Sequence, residues 1–111
     1  NRVDLAIAAY RKALEKDPKY APAYSGLGDA YRQQGDRDKA AEAYRKALEL
    51  RGDYAIVHYK LGLLYEGNLP AEAIKHFEKY LASGKNPEYQ TEAKAKIEKL
   101  KNVTTSKSQG Q

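Results

Sequence analysis

The residues best suited to hold a metal or move a proton near neutral pH are the two histidines, His58 and His76. Neither has a second histidine or a cysteine nearby in sequence, so the ligand spacing of a zinc site is missing and no metal site is expected. His58 reads as a ring in a packed core and His76 as a solvent-facing side chain. Ser25, Ser83, Ser106 and Ser108 lack the His/Asp context that activates a nucleophile. Gly26-Leu27-Gly28 has the look of a phosphate loop, but it falls inside a helical pattern and reads as packing glycine. Asp36 and Asp38 stand at a helix start, where carboxylates stabilise the N-terminus. With no cysteine there is no disulfide, thiolate site or thiol nucleophile. The chain is expected not to be an enzyme and to use no cofactor.

What the residues do show is a scheme for packing helices. Ala9-Tyr10-Arg11-Lys12-Ala13-Leu14-Glu15 returns unchanged as Ala43-Tyr44-Arg45-Lys46-Ala47-Leu48-Glu49, an offset of 34 residues. The same offset pairs Ala6 with Ala40, Tyr20 with Tyr54, Leu27 with Leu61, Gly28 with Gly62 and Tyr31 with Tyr65. Tyr24 pairs with His58, another ring. A period of this length marks stacked supersecondary units. Leu27 and Tyr31 share a helix face as i and i+4. Ala40, Tyr44 and Ala47 form an i, i+4, i+7 stripe on the next helix. Small residues opposite rings interlock at close-packed density.

On these residues the chain resembles the tetratricopeptide repeat family, a 34-residue helix-turn-helix array. Tyr24, Leu27, Gly28, Tyr31, Ala40, Tyr44 and Ala47 fill its pattern in one repeat. His58, Leu61, Gly62, Tyr65, Ala73, Phe77 and Tyr80 follow in the next, and Ala6, Tyr10, Ala13 and Pro18 in a preceding half repeat. The resemblance covers roughly residues 3–84. It departs at Gly52, where the family usually has proline, and in a last repeat one residue short between Tyr65 and Ala73. Tyr80 replaces a small alanine, so the last helix pair is expected to splay or shift. The resemblance implies an all-α fold, a right-handed α-solenoid of antiparallel helix pairs closed by a C-terminal capping helix.

Six helices follow from the local signals. The first runs from about Val3 to Lys16 and ends at Asp17-Pro18. The second starts near Tyr20 or Ala21, tolerates Pro22 in its first turn and runs to Gln34. Gly35 is expected as C-cap and Asp36 as N-cap of the third, about Arg37 to Leu50. Asp53 is expected to cap the fourth, about Tyr54 to Glu66. Pro70 opens the fifth, which ends near Ser83-Gly84. Asn86-Pro87 caps the sixth, expected from Glu88 to about Asn102. Residues 1–18 then form the second helix of a truncated repeat, 19–52 and 53–86 complete repeats, 87–103 the capping helix and 104–111 a disordered tail. The sixth helix puts Tyr89, Ala93, Ile97 and Leu100 on one face.

The 111 residues make one domain or a piece of one, and the opening inside a repeat without any methionine suggests a fragment. No apolar run approaches the ~18 residues of a membrane span and no signal peptide is visible. Sequence alone leaves the compartment unknown, with cytoplasm favoured over periplasm. Net charge is +5, with a surplus in the last helix at Lys94, Lys96, Lys99 and Lys101. Glu88, Glu92 and Glu98 interrupt these, and Tyr89 is the single aromatic there, so binding to nucleic acid or an anionic surface is the weaker reading.

The family lines its concave face with the first helix of each pair. The resemblance therefore points to the outward positions of the second and fourth helices: Pro22, Ser25, Asp29, Arg32 and Gln33, then Ile56, Tyr59, Leu63 and Glu66. An exposed Tyr59–Leu63 pair would be a contact patch for a helix or peptide of a partner protein. The competing reading has both covered by the terminal helix. Family members that clamp a peptide's C-terminal carboxylate use Lys, Asn and Arg on these helices. Ser25, Asp29, Tyr59 and Leu63 stand there instead, with Lys60 the one basic candidate, so tail binding of that kind is not expected. The alternative function is self-association, through a Leu5/Ile7/Tyr10/Leu14 surface that the opening helix leaves uncovered.

Overall fold

The structure, a computed structural model, describes the backbone of residues 1–109 and the side chains of residues 1–103. Among the described residues there are six helices and no strand. They are α1 (Arg2–Lys16), α2 (Ala21–Gln34), α3 (Arg37–Leu50), α4 (Ala55–Tyr65), α5 (Pro70–Ser83) and α6 (Pro87–Gln109). The fold is an all-α helical repeat of the α-solenoid class. The chain divides into two compact units, one of Asn1–Val57 and one that begins at His58.

The helix ends are chemically marked. Asn1 caps α1 by accepting from the Asp4 amide at 3.0 Å. Gly35 takes φ 84°, the left-handed conformation open to glycine, and its amide and that of Asp36 return to the last carbonyls of α2. Asp36 then accepts from the Lys39 amide at 3.1 Å and starts α3 one residue later. Asn86 accepts from the Glu88 amide at 2.9 Å at the start of α6. Asp53 departs from expectation. Helix α4 begins at Ala55, so Tyr54 holds the boundary, as Tyr20 does before α2. The turn is closed by the Tyr54 amide on the Arg51 carbonyl, and the Asp53 carboxylate lies 3.6 Å from Arg51 Nε.

In the first unit α1 packs on α2 around Ile7, Leu27, Ala30 and Ala43, with Val3, Tyr10, Leu14, Tyr24 and Tyr31 packed against them. Polar ties flank this seam: Arg11 donates to the Tyr31 hydroxyl at 2.9 Å and Gln34 to the Asp4 carboxylate at 3.1 Å. The α3 stripe Ala40, Tyr44 and Ala47 is fully buried. A side chain at Gly28 would run into the Tyr44 ring, so the bare backbone of α2 is what lets α3 lie so close. In the second unit Ala73, Phe77 and Tyr80 repeat the stripe on α5, and Phe77 sits over Gly62 as Tyr44 sits over Gly28. Tyr80, the large residue in an alanine position, is accommodated over Gly84, where a Cβ would meet its ring.

Helix α6 buries Ala93 and Ile97, with Tyr89 and Leu100 half-buried beside them. It continues to Gln109, seven residues past the expected end near Asn102. The segment 104–109, expected as part of a disordered tail, is helical. Nothing between Asn102 and Gly110 supplies a proline or glycine stop. Residues 110 and 111 of that tail lie outside the described residues.

Candidate functional site

The nine residues expected to form a groove fall in different environments. On α2, Pro22 and Asp29 are half-buried, Arg32 and Gln33 are exposed, and Ser25 is only 3% exposed. Ser25 is followed by Gly26, whose missing side chain admits the Tyr10 ring, so this stretch of α2 is closely packed. Asp29 has an internal task. Its Oδ1 accepts the Tyr44 hydroxyl at 2.6 Å, a short charge-assisted bond. Burial first, and then this carboxylate, push the Tyr44 phenol well above the usual tyrosine range. The α2 face therefore offers Arg32 and Gln33 as its open contacts, with Pro22 and part of Asp29 beside them.

On α4 the expected contact patch is corrected. Tyr59 is 4% exposed. Its ring stacks on Tyr89 of α6 with centroids 4.7 Å apart, and touches Tyr80 and Phe77 of α5 at 5.5 and 5.8 Å. Burial is the main cause that raises its phenol above the usual range, followed by a hydrogen bond to Glu92 of α6. Glu66, one turn past Leu63, pairs with Lys96 of α6 through Nζ at 3.0 and 3.2 Å from its two oxygens. Leu63 and Ile56 are half-buried. The terminal helix thus lies on α4, and the covered reading describes Tyr59. Its cause is the apolar stripe of α6, which finds a complementary face on the helices preceding it.

The self-association surface is corrected in the same way. Ile7 is buried, and Tyr10 and Leu14 are half-buried in the seam with α2. Leu5 alone of the four faces water, at 71% exposure. The lysine surplus of α6 is partly neutralised: Lys96 meets Glu66 and, at 4.0 Å, Glu92, and Lys101 meets Glu78 at 3.7 Å.

Two features escaped sequence reasoning. An open cleft of about 640 Å³ lies between α2 and α3, floored by Tyr24, Leu27, Tyr31 and Ala43 and rimmed by charged residues including Lys39 and Lys46. None of the expected groove residues lines it. The second is the histidine pair. His76 was expected in solvent, yet its side chain is 13% exposed and its Nδ1 stands 3.1 Å from Nδ1 of His58. Burial, and then His58, lower His76 to about 4, against a raising influence from Glu72. The spacing from Tyr65 to Ala73 is one residue shorter than that from Tyr31 to Ala40, so the register that joins the rings could not be read from the repeat.

The family model for the TPR repeat matches residues 1–35 and 28–68. No curated protein matches the chain. Among solved structures, the TPR domain of P58(IPK) is similar with TM-score 0.89 and 23% identity, over 98% of this chain and 31% of that one. MamA is similar with TM-score 0.70 and 37% identity, over 75% of this chain and 49% of that one. The first TPR of Spaghetti (RPAP3), solved bound to an HSP90 peptide, is similar with TM-score 0.81 and 22% identity, over 95% of this chain and 82% of that one. The chain thus spans about a third of the first of these proteins and half of the second. No helix among the described residues is long and apolar enough to cross a membrane.

Proposed function

The chain belongs to the tetratricopeptide repeat family, and from that premise we propose that it is a protein-interaction module that receives a segment of a partner on the open end of α2. The observation that carries this reading is the contrast between the two expected halves of the groove. Arg32 and Gln33 are exposed, whereas Tyr59 is stacked beneath Tyr89 of the chain's own last helix. Peptide binding by the Spaghetti domain supports the class of function. It does not transfer the ligand, because Ser25 and Asp29 stand where a carboxylate clamp needs basic or amide side chains, and both are buried or engaged. A ligand suited to Arg32, Gln33 and Pro22 is a polar segment with an acidic residue against the guanidinium.

The test uses a peptide selected from a random library against the intact chain. Arg32→Glu is expected to weaken its binding at least about tenfold, because it turns one attraction into a like-charge contact. Lys46→Glu, in the α2/α3 cleft, is expected to leave it unchanged. The reverse pattern moves the site to the cleft and rejects the α2 assignment.

A second reading is homo-association through the outer face of α1, favoured by the exposure of Leu5. Light scattering across a concentration series is expected to show a rising mass that Leu5→Lys abolishes. A constant monomer mass dismisses this reading and leaves the α2 proposal standing.

A further inference from the structure

We infer that the cleft between α2 and α3 receives an aromatic side chain from a partner protein, held against Tyr24 and Tyr31 over Ala43. The second repeat contains the filled version of this site. Tyr44 sits over Gly28 and Phe77 over Gly62, so α3 meets α2 as α5 meets α4. The residue before each of these rings therefore takes the same place in its helix pair: Ala43 in one, His76 in the other. In the second repeat the His76 ring stacks on His58, with centroids 5.3 Å apart and planes 24° apart, and leans on Tyr65 at 5.9 Å. His58 and Tyr65 are the counterparts of Tyr24 and Tyr31. Both are buried.

In the first repeat the central ring is missing and its two neighbours remain. Ala43 supplies only a methyl group, and Tyr24 and Tyr31 stay half-buried on the floor of an open cleft of about 640 Å³. That space is larger than one ring, so the backbone beside a guest ring fits too. Tyrosine faces and edges favour another aromatic ring over a saturated group of similar size, because their quadrupoles attract each other. The rim carries both signs, with Lys39 and Lys46 set against Glu42 and Glu49, and Lys46 lies 3.3 Å from Glu49. Net charge therefore selects little, and recognition falls to the ring. Lys39 Nζ already stands 5.7 Å from the Tyr31 centroid on a mostly exposed side chain, placed to turn over a guest ring in the same way. The guest comes from another protein, since Tyr20 is the one exposed ring among the described residues. It is fixed by backbone hydrogen bonds in the turn before α2. Neither Arg32 nor Gln33 lines the cleft, so this site is additional to the one on α2.

The experiment titrates the intact chain with N-acetyl-phenylalaninamide and with its saturated analogue, N-acetyl-cyclohexylalaninamide, followed by NMR. The aromatic probe is expected to bind with a dissociation constant on the order of 1 mM and at least about threefold tighter than the analogue. The saturated ring is the more hydrophobic, so a merely greasy patch gives the opposite order. Nuclear Overhauser contacts are expected from the probe ring to the Ala43 and Leu27 methyl groups. Ala43→His installs the second repeat's own ring and is expected to weaken binding at least about fivefold by filling the place. Arg32→Glu is expected to leave it unchanged, so failure here is distinct from failure of the α2 site. Undiminished binding to a folded Ala43→His chain, equal or tighter binding of the analogue, or no binding to the wild type overturns the assignment. Should Ala43→His fail to fold, the wild-type contacts decide: those to Ala43 and Leu27 support the site, and contacts elsewhere alone refute it. A mass in light scattering that falls as the probe is added assigns the cleft to a second copy and overturns the partner.

Discussion

Phe77→Ala is expected to destabilise the protein by about 3–5 kcal/mol in chemical unfolding, the cost of emptying a fully buried ring site. The informative measurement is its coupling to Gly62. Alone, Gly62→Ala adds a methyl group where the Phe77 ring already sits, and both lie in packed helices. Overpacking of this kind costs about 1–3 kcal/mol, more than the 0.5–1 kcal/mol or so that alanine gains over glycine inside a helix. In the Phe77→Ala background the obstruction is gone, and the same Gly62→Ala change is expected to stabilise. A double-mutant cycle thus shows a reversal of sign. If Gly62→Ala behaves alike in both backgrounds, the ring and the glycine do not define how closely α4 and α5 approach.

Tyr59 carries the second large effect. Tyr59→Ala removes a side chain that touches Tyr89, Tyr80 and Phe77, and is expected to cost about 3–5 kcal/mol. Tyr59→Phe keeps the rings together and loses the hydroxyl bond to Glu92, about 1 kcal/mol. Alkali acts on the same group. Its phenol is held above the ordinary tyrosine value near 10 when folded, so the stability linked to it is intact below pH ~10 and declines as pH rises further. Absorbance titration of Tyr59→Phe should therefore lose amplitude from the late, unfolding-linked phase and not from the early one. Early loss would place Tyr59 in water.

Most of the helical architecture was legible because it is written locally. Gly35 and Asp36 announce a stop and a start, and the alanine–ring stripes on α3 and α5 have the spacing of one helix face. The helix bounds of α2, α3 and α5 follow from these signals alone. The site was less legible, since exposure depends on what arrives from afar. Nothing around Tyr59 reveals that Tyr89, 30 positions later, stacks on it. Outward positions on α4 look like binding residues until α6 covers them. Tyr10 and Leu14 of α1 looked uncovered for a related reason, as their partner α2 presents Gly26 and Leu27 to them. His76 reads as solvent-facing in a stretch that holds Lys75, Glu78 and Lys79, and local sequence cannot register a second imidazole across the seam.

The seven residues shared by Ala9–Glu15 and Ala43–Glu49 turn the molecule into its own control. Both copies are helical and carry identical intrinsic propensity, so no difference between them can come from composition. Yet Tyr10 stays partly accessible while Tyr44 is sealed against Gly28 and bonded to Asp29. Any gap in amide exchange or phenol reactivity between the twins measures what surroundings alone confer on one fixed stretch of peptide.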